Sequence, residues 1–158
     1  PEKIVEILNS FFSFSSHIIQ KHTGDIDKFV GDCSMAVFID AQDAVDAAKE
    51  MIQEGMPNLN RLLVSKNMPE INVRIGINSG KLVHGNIGSD ERKDMTVIGD
   101  VVNTASRVQG EAEPGNFIIT ESTFARLDTS EEFEFAKELL LKGKITPIKL
   151  YQPIKIKN

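Results

Sequence analysis

A single cysteine, Cys33, is all the chain contains, so no internal disulfide can form, and a reducing, cytoplasmic setting is the simpler reading. Long apolar runs are missing too. Runs such as Leu139-Leu140-Leu141 fall far short of the roughly 20 residues that a membrane span requires, so this segment is expected to make no membrane contact. There is also no surplus of positive charge: 18 Lys+Arg stand against 23 Asp+Glu, a net charge of −5. That balance excludes the broad electrostatic footprint of a nucleic-acid binder, so any phosphate held here must be gripped locally by a few side chains. Signal-peptide features, internal repeats and low-complexity segments are absent as well. The chain opens on Pro1 directly in helical pattern and is expected to be cut from something longer.

What is present is an ordinary globular composition, with 41% apolar and 26% charged residues over 158 positions. A chain of that length is expected to form one domain, burying roughly two thirds of the surface its unfolded form exposes. The apolar positions Ile4, Leu8, Phe11, Phe12, Ile18 and Ile19 form a helical stripe over residues 2–22, closed by Gly24. Two short strands, 26–30 and 35–38, flank the turn Gly31-Asp32. Asp40 reads as the N-cap of a second helix over 41–54 or beyond, which Pro57 kinks or divides. The alternation in 71–77 predicts a strand, with 82–87 as its partner across the Ser79-Gly80 turn. A strand at 96–98, a helix from 101 to about 110, a strand at 117–120, a short helix at 121–127 and closing strands at 133–136, 139–142 and 148–154 complete the reading. Strands and helices alternate, but tight turns join several neighbouring strands. The expectation is therefore an α+β fold with a mixed, largely antiparallel sheet and helices packed on it.

Four stretches carry candidate chemistry. Asp32 follows a glycine at a hairpin tip, where a carboxylate ordinarily serves turn geometry but, exposed and fixed, also suits a hard cation. In Thr96 to Arg107, a strand, a glycine turn and a helix follow one another. Asn103 and Arg107 are four residues apart, so an amide and a guanidinium share one helical face, while Val101, Val102, Ala105 and Val108 supply the buried side. An exposed polar face is common on any helix, yet an arginine fork is also the group best suited to clamping phosphate charge. Leu141-Lys142-Gly143-Lys144 is a basic turn of the kind that usually only solubilises a hairpin. Gly80 to Gly88 holds three glycines in no phosphate-loop pattern and is assigned to packing and turn geometry.

Taken together these stretches resemble a known family, the class III adenylyl and guanylyl cyclases. The resemblance is carried by Asp27 to Phe38, by Val73-Arg74-Ile75-Gly76-Ile77-Asn78-Ser79-Gly80, by Gly85-Asn86-Ile87-Gly88, by Thr96 to Arg107 and by Leu141-Lys142-Gly143-Lys144, in order along nearly the whole chain. It implies a cyclase catalytic domain over 1–158 with a ferredoxin-like core, and it implies roles for individual residues. Asp32 is one of two metal-binding aspartates, Lys28 and Thr96 contact the purine, Asn103 orients the ribose, Arg107 stabilises charge at the α-phosphate, and Lys142 holds the terminal phosphates. Lys28 with Thr96 is an adenine-reading pair of a bacterial-type subgroup, whereas guanine-selective members place Glu where Lys28 stands. The family's first strand, with the other metal aspartate, precedes the 2–22 helix and is not in this sequence.

The resemblance therefore implies conversion of ATP to cyclic AMP and pyrophosphate, with two Mg²⁺ or Mn²⁺ ions per site. The site would be shared across a homodimer, with a sensor or regulatory domain upstream. The alternatives are a guanylyl cyclase, which Lys28 disfavours, and a non-catalytic nucleotide-binding pseudocyclase, against which Asp32, Asn103, Arg107 and Lys142 all stand.

Overall fold

The computed structural model describes residues 1–86 and 95–155, which gather into two compact units, Pro1–Val73 and Arg74–Asn158. The first unit is built on helix α1 (Glu2–Lys21), which buries Ile7, Phe11, Ser15, Ile18 and Ile19 at helical spacing. Strands β1 (Asp25–Val30) and β2 (Cys33–Val37) follow as an antiparallel hairpin, and Gly31 at its tip has φ +59°, a conformation costly to a residue with a Cβ. Asp40 caps helix α2 (Ala41–Glu50), accepting from the Gln42 amide at 2.9 Å.

Pro57 divides the second helical stretch by a widened turn. Residues Met51–Gly55 form a π-helical turn in which the Met56 amide bonds back to the Met51 carbonyl, and α3 (Met56–Ser65) continues from there. Proline has no N–H for the carbonyl four residues back and its ring crowds that group, so a wider turn ahead of it relieves the clash. Val45, Ala48, Met51, Leu59 and Leu63 fill this unit's interior. At its periphery Lys21 donates to Glu50 at 2.7 Å, and that hydrogen bond holds the Glu50 carboxyl below the usual carboxylate range.

In the second unit, β3 (Arg74–Ile77) lies parallel to β6 (Asn116–Thr120). β6 pairs antiparallel with β8 (Ile148–Pro153), and β8 with β7 (Phe133–Leu139), giving the order β3-β6-β8-β7. Helix α4 (Asp100–Gln109) makes the crossover from β3 towards β6, and α5 (Glu121–Phe124) follows β6 directly. Val108 and Ala112 pack with Ile118, Leu139 and Leu150 in one buried cluster. The α+β class and the mixed sheet agree with the sequence reading.

Three expectations are corrected. The strand at 82–87 does not pair with β3: the observed strand β4 (Val83–Asn86) pairs antiparallel with β5 (Met95–Ile98), and β3 takes β6 instead. The strand expected from residue 71 starts at Arg74, because the Asn60 side chain takes both the Ile71 amide and carbonyl, each at 2.9 Å. The segments 133–136 and 139–142 form one strand ending at Leu139, followed by a turn in which the Lys144 amide bonds the Leu141 carbonyl.

Thr23, just after α1, has φ +65°, which a β-branched residue adopts at a cost of about 1–2 kcal/mol. Its hydroxyl donates to Asp43 at 3.0 Å, a partial offset on an exposed surface. Thr23→Asn, which tolerates this backbone and keeps a donor, is expected to raise Tm by about 2–4 °C in thermal unfolding. An unchanged or lower Tm would mean that the threonine hydroxyl outweighs the backbone strain.

Candidate functional site

Of the side chains singled out in the sequence, Lys28 and Asp32 belong to the first unit. Lys28 lies on β1 opposite Met35, just past an irregularity in the pairing at Asp27, and is exposed. Asp32 sits exposed in the turn between β1 and β2, where the positive φ of Gly31 reverses the chain. The neighbouring Asp27 has one carboxylate oxygen buried with no hydrogen-bond partner among the described residues. Among those residues no cluster of three His, Cys, Asp or Glu is placed to hold a metal ion. Asp32 therefore offers a single hard oxygen donor, a set that suits Mg²⁺ when other ligands come from phosphates and further carboxylates.

The second unit holds the other four. Thr96 lies on β5 opposite Gly85. The motif Gly85-Asn86-Ile87-Gly88 runs out of the described residues at Ile87, and so does the far end of the glycine stretch 80–88. Asn103 and Arg107 both lie exposed on α4, while Val108 is fully buried, as the helical spacing requires. Lys142 is exposed in the turn between β7 and β8.

Contacts that the sequence reading did not assign organise this unit. Arg107 contacts Glu111 at 3.6 Å, and the other oxygen of Glu111 meets Lys137 from β7 at 3.5 Å. Lys144, two residues beyond Lys142, reaches Asp100 in the first turn of α4 at 3.6 Å, tying the basic turn to the helix. Below this contact lies a cleft of about 280 Å³ walled by Asn78, Asp100, Thr104, Glu121, Ser122 and Lys144 among others. Among its lining residues Thr120 donates to Asn78 at 2.8 Å, and the adjoining Ser79 and Thr123 share a 2.8 Å bond. The clustering of Asn, Ser and Thr just after two strands, at 78–79 and 120–123, is the one signal of this network the sequence offers.

What seats α4 is a close approach of backbones. A Cβ at Gly76 would lie 2.4 Å from the Gln109 amide nitrogen and 2.6 Å from its Cα, so β3 and α4 touch with no side chain between them. Gly76→Ala must lift the helix off the strand. The expected cost is about 1–3 kcal/mol in chemical denaturation, and stability equal to wild type would show that α4 is not held there.

The profile of the adenylate and guanylate cyclase catalytic domain matches residues 1–153. An adenylate cyclase of Anabaena cylindrica is 35% identical over 162 residues, covering 96% of this chain and 32% of its own length. The terminal-differentiation specific adenylate cyclase of Dictyostelium discoideum is 30% identical over 97% of the chain, which spans only 8% of that protein. The chain thus spans a third or less of these relatives. Among solved structures, the guanylyl cyclase Cya2 superposes with a TM-score of 0.86 at 28% identity, covering 97% of this chain and 81% of that one. The adenylyl cyclase CyaB from P. aeruginosa gives 0.81 at 30%, covering 99% and 85%.

Proposed function

We propose that this chain, which belongs to the adenylate and guanylate cyclase catalytic-domain family, converts ATP to 3′,5′-cyclic AMP and pyrophosphate. The observation that carries the proposal is the exposed pair Asn103 and Arg107 on a helix seated rigidly against β3. In cyclisation the ribose 3′-oxygen forms a bond to its own α-phosphorus as the bond to the pyrophosphate oxygen breaks and the hydroxyl proton departs. The protein must fold the nucleotide into reach and meet charge where it develops. In this reading Asn103 holds the ribose so that the 3′-oxygen faces the phosphorus. Arg107 leaves Glu111 for the α-phosphate, and Lys137 remains as that carboxylate's partner. Lys142 holds the terminal phosphates, its turn tethered to α4 by Lys144 and Asp100.

Asp32 is proposed to hold Mg²⁺ or Mn²⁺, two ions per site, together with the nucleotide's phosphates and a second aspartate. When bound, the metal lowers the pKa of the attacking hydroxyl and neutralises the leaving pyrophosphate. The second aspartate is proposed to lie on a strand ahead of Pro1, and β2, which pairs with β1 alone among the described strands, has an edge to receive it. A sensor or regulatory domain further upstream fits relatives of which this chain is a third or less. No helix among the described residues is long and apolar enough to cross a membrane, and a cytoplasmic site beside the ATP pool is proposed.

Two sites shared across a homodimer are proposed, with Asp32 from one chain facing Asn103 and Arg107 from the other. Mixing Asp32→Ala and Asn103→Ala chains of the natural full-length protein should then restore activity that neither variant has alone. Mixed dimers without activity would place the whole site in one chain.

Likeness to Cya2 favours a guanylyl reading, but the chemistry of Lys28 opposes it. Guanine presents N1–H and N2 amino donors, and an ammonium only donates. Lys28 with Thr96 can instead donate to an adenine ring nitrogen and accept from its amino group. A buried purine left with unpaired donors is rejected strongly, so kcat/KM for ATP should exceed that for GTP by about 100-fold or more. Lys28→Glu should narrow the gap. Equal kcat/KM for the two nucleotides in the natural protein would end the adenylyl assignment.

A further inference from the structure

We infer that Asn78 is a positioning residue for the nucleotide site, its side-chain amide fixing the height and rotation of α4 and thereby where Asn103 and Arg107 stand. The inference rests on the role proposed above for that helix. Helix α4 starts on Gly99, which has no side chain to cap the first turn. The fastening comes from outside the helix: Asn78 Nδ2 donates to the Val101 carbonyl at 3.0 Å. Its Oδ1 is held in turn, accepting from Thr120 Oγ1 at 2.8 Å with Ser122 Oγ at 3.1 Å, so the amide cannot flip without breaking bonds on both ends. Val101 is gripped from a second direction by Gly80, where a Cβ would lie 2.7 Å from the valine Cγ2. With Gly76 against Gln109 at the other end, α4 is pinned to β3 and its exit loop at both termini.

Asn103 lies two residues beyond Val101, and Arg107 lies on the same face one turn further. A tilt at Val101 therefore moves both, whereas Lys28, which is on another element, keeps its hold on the nucleotide. Loss of the Asn78 donor should accordingly lower kcat and leave KM for ATP nearly unchanged, since misplacement by about 1 Å far from the reacting atoms can cost around 100-fold.

Asn78→Asp separates positioning from scaffolding. It keeps the acceptor that Thr120 and Ser122 use but, ionised, has no proton for Val101, and protonation restores one. In the natural full-length protein, kcat of Asn78→Asp should fall about 10- to 100-fold at neutral pH. Its ratio to wild type should recover as pH drops towards the ordinary aspartate range near 4, while that of Asn78→Ala stays low at every pH. Wild-type kcat in Asn78→Asp, or a ratio flat in pH, overturns the inference, as does a loss that only tracks the unfolded fraction. Hydrogen exchange of the α4 amides, without nucleotide, reads the anchor independently of the reaction. Faster exchange over residues 101–107 in Asn78→Asp supports anchoring even if the wild-type protein cyclises neither ATP nor GTP, and unchanged exchange overturns it.

Discussion

The second unit depends on the contact between the backbone of β3 at Gly76 and the last turn of α4. Because a Cβ there would overlap the Gln109 main chain, the helix lies closer to the strand than any side chain allows. That approach lets Val108 reach full burial beside Ile118 and Leu150. Burying such side chains stabilises by about 1.5–3 kcal/mol each. The exposed pairs around the same helix, Arg107 with Glu111 and Lys144 with Asp100, contribute roughly 0–1 kcal/mol each. Packing and sterics therefore outweigh the exposed ion pairs in deciding where α4 sits.

That ordering of magnitudes suits a phosphate-handling site. A guanidinium held by a strong buried partner would resist moving to a substrate, whereas Arg107, 59% exposed and facing Glu111 at 3.6 Å, can exchange partners at little cost. Glu111 also meets Lys137, so the exchange proposed for Arg107 would strand no carboxylate. The close backbone approach sets where the helix lies, and the charged side chains on its surface can adapt.

The first unit follows the same economy with different means. Its interior is a helical core around Val45 and Leu63, and its candidate groups, Lys28 and Asp32, project from a hairpin at the surface. Gly31 sets the reversal, so the carboxylate next to it stands at a fixed tip instead of on a wandering loop. The oxygen of Asp27, one residue before Lys28, is buried without a hydrogen-bond partner among the described residues.

The sequence by itself determined the elements whose signals are local. The α1 stripe at Phe11, Ile18 and Ile19 (Ile4, also expected on it, is exposed), the Asp40 cap, the Gly31 turn and the Asn103/Arg107 face of α4 are each written in residues within a few turns of one another, where periodicity and capping chemistry act. The order of the motifs was enough to point to the family. Strand partnership was decided only in three dimensions. Ser79-Gly80 reads locally as a hairpin turn, but β3 pairs with β6, some forty residues on, because α4 must cross between two parallel strands and Asn78 is spent on Thr120 and Val101. Likewise the Asn60 side chain, eleven residues away, removes Ile71 from its strand. Glu111 and Lys137 carry no motif, and Asn78 stands inside one that assigns it no role; they matter through side chains that meet only when distant segments are brought together, which no window along the chain contains.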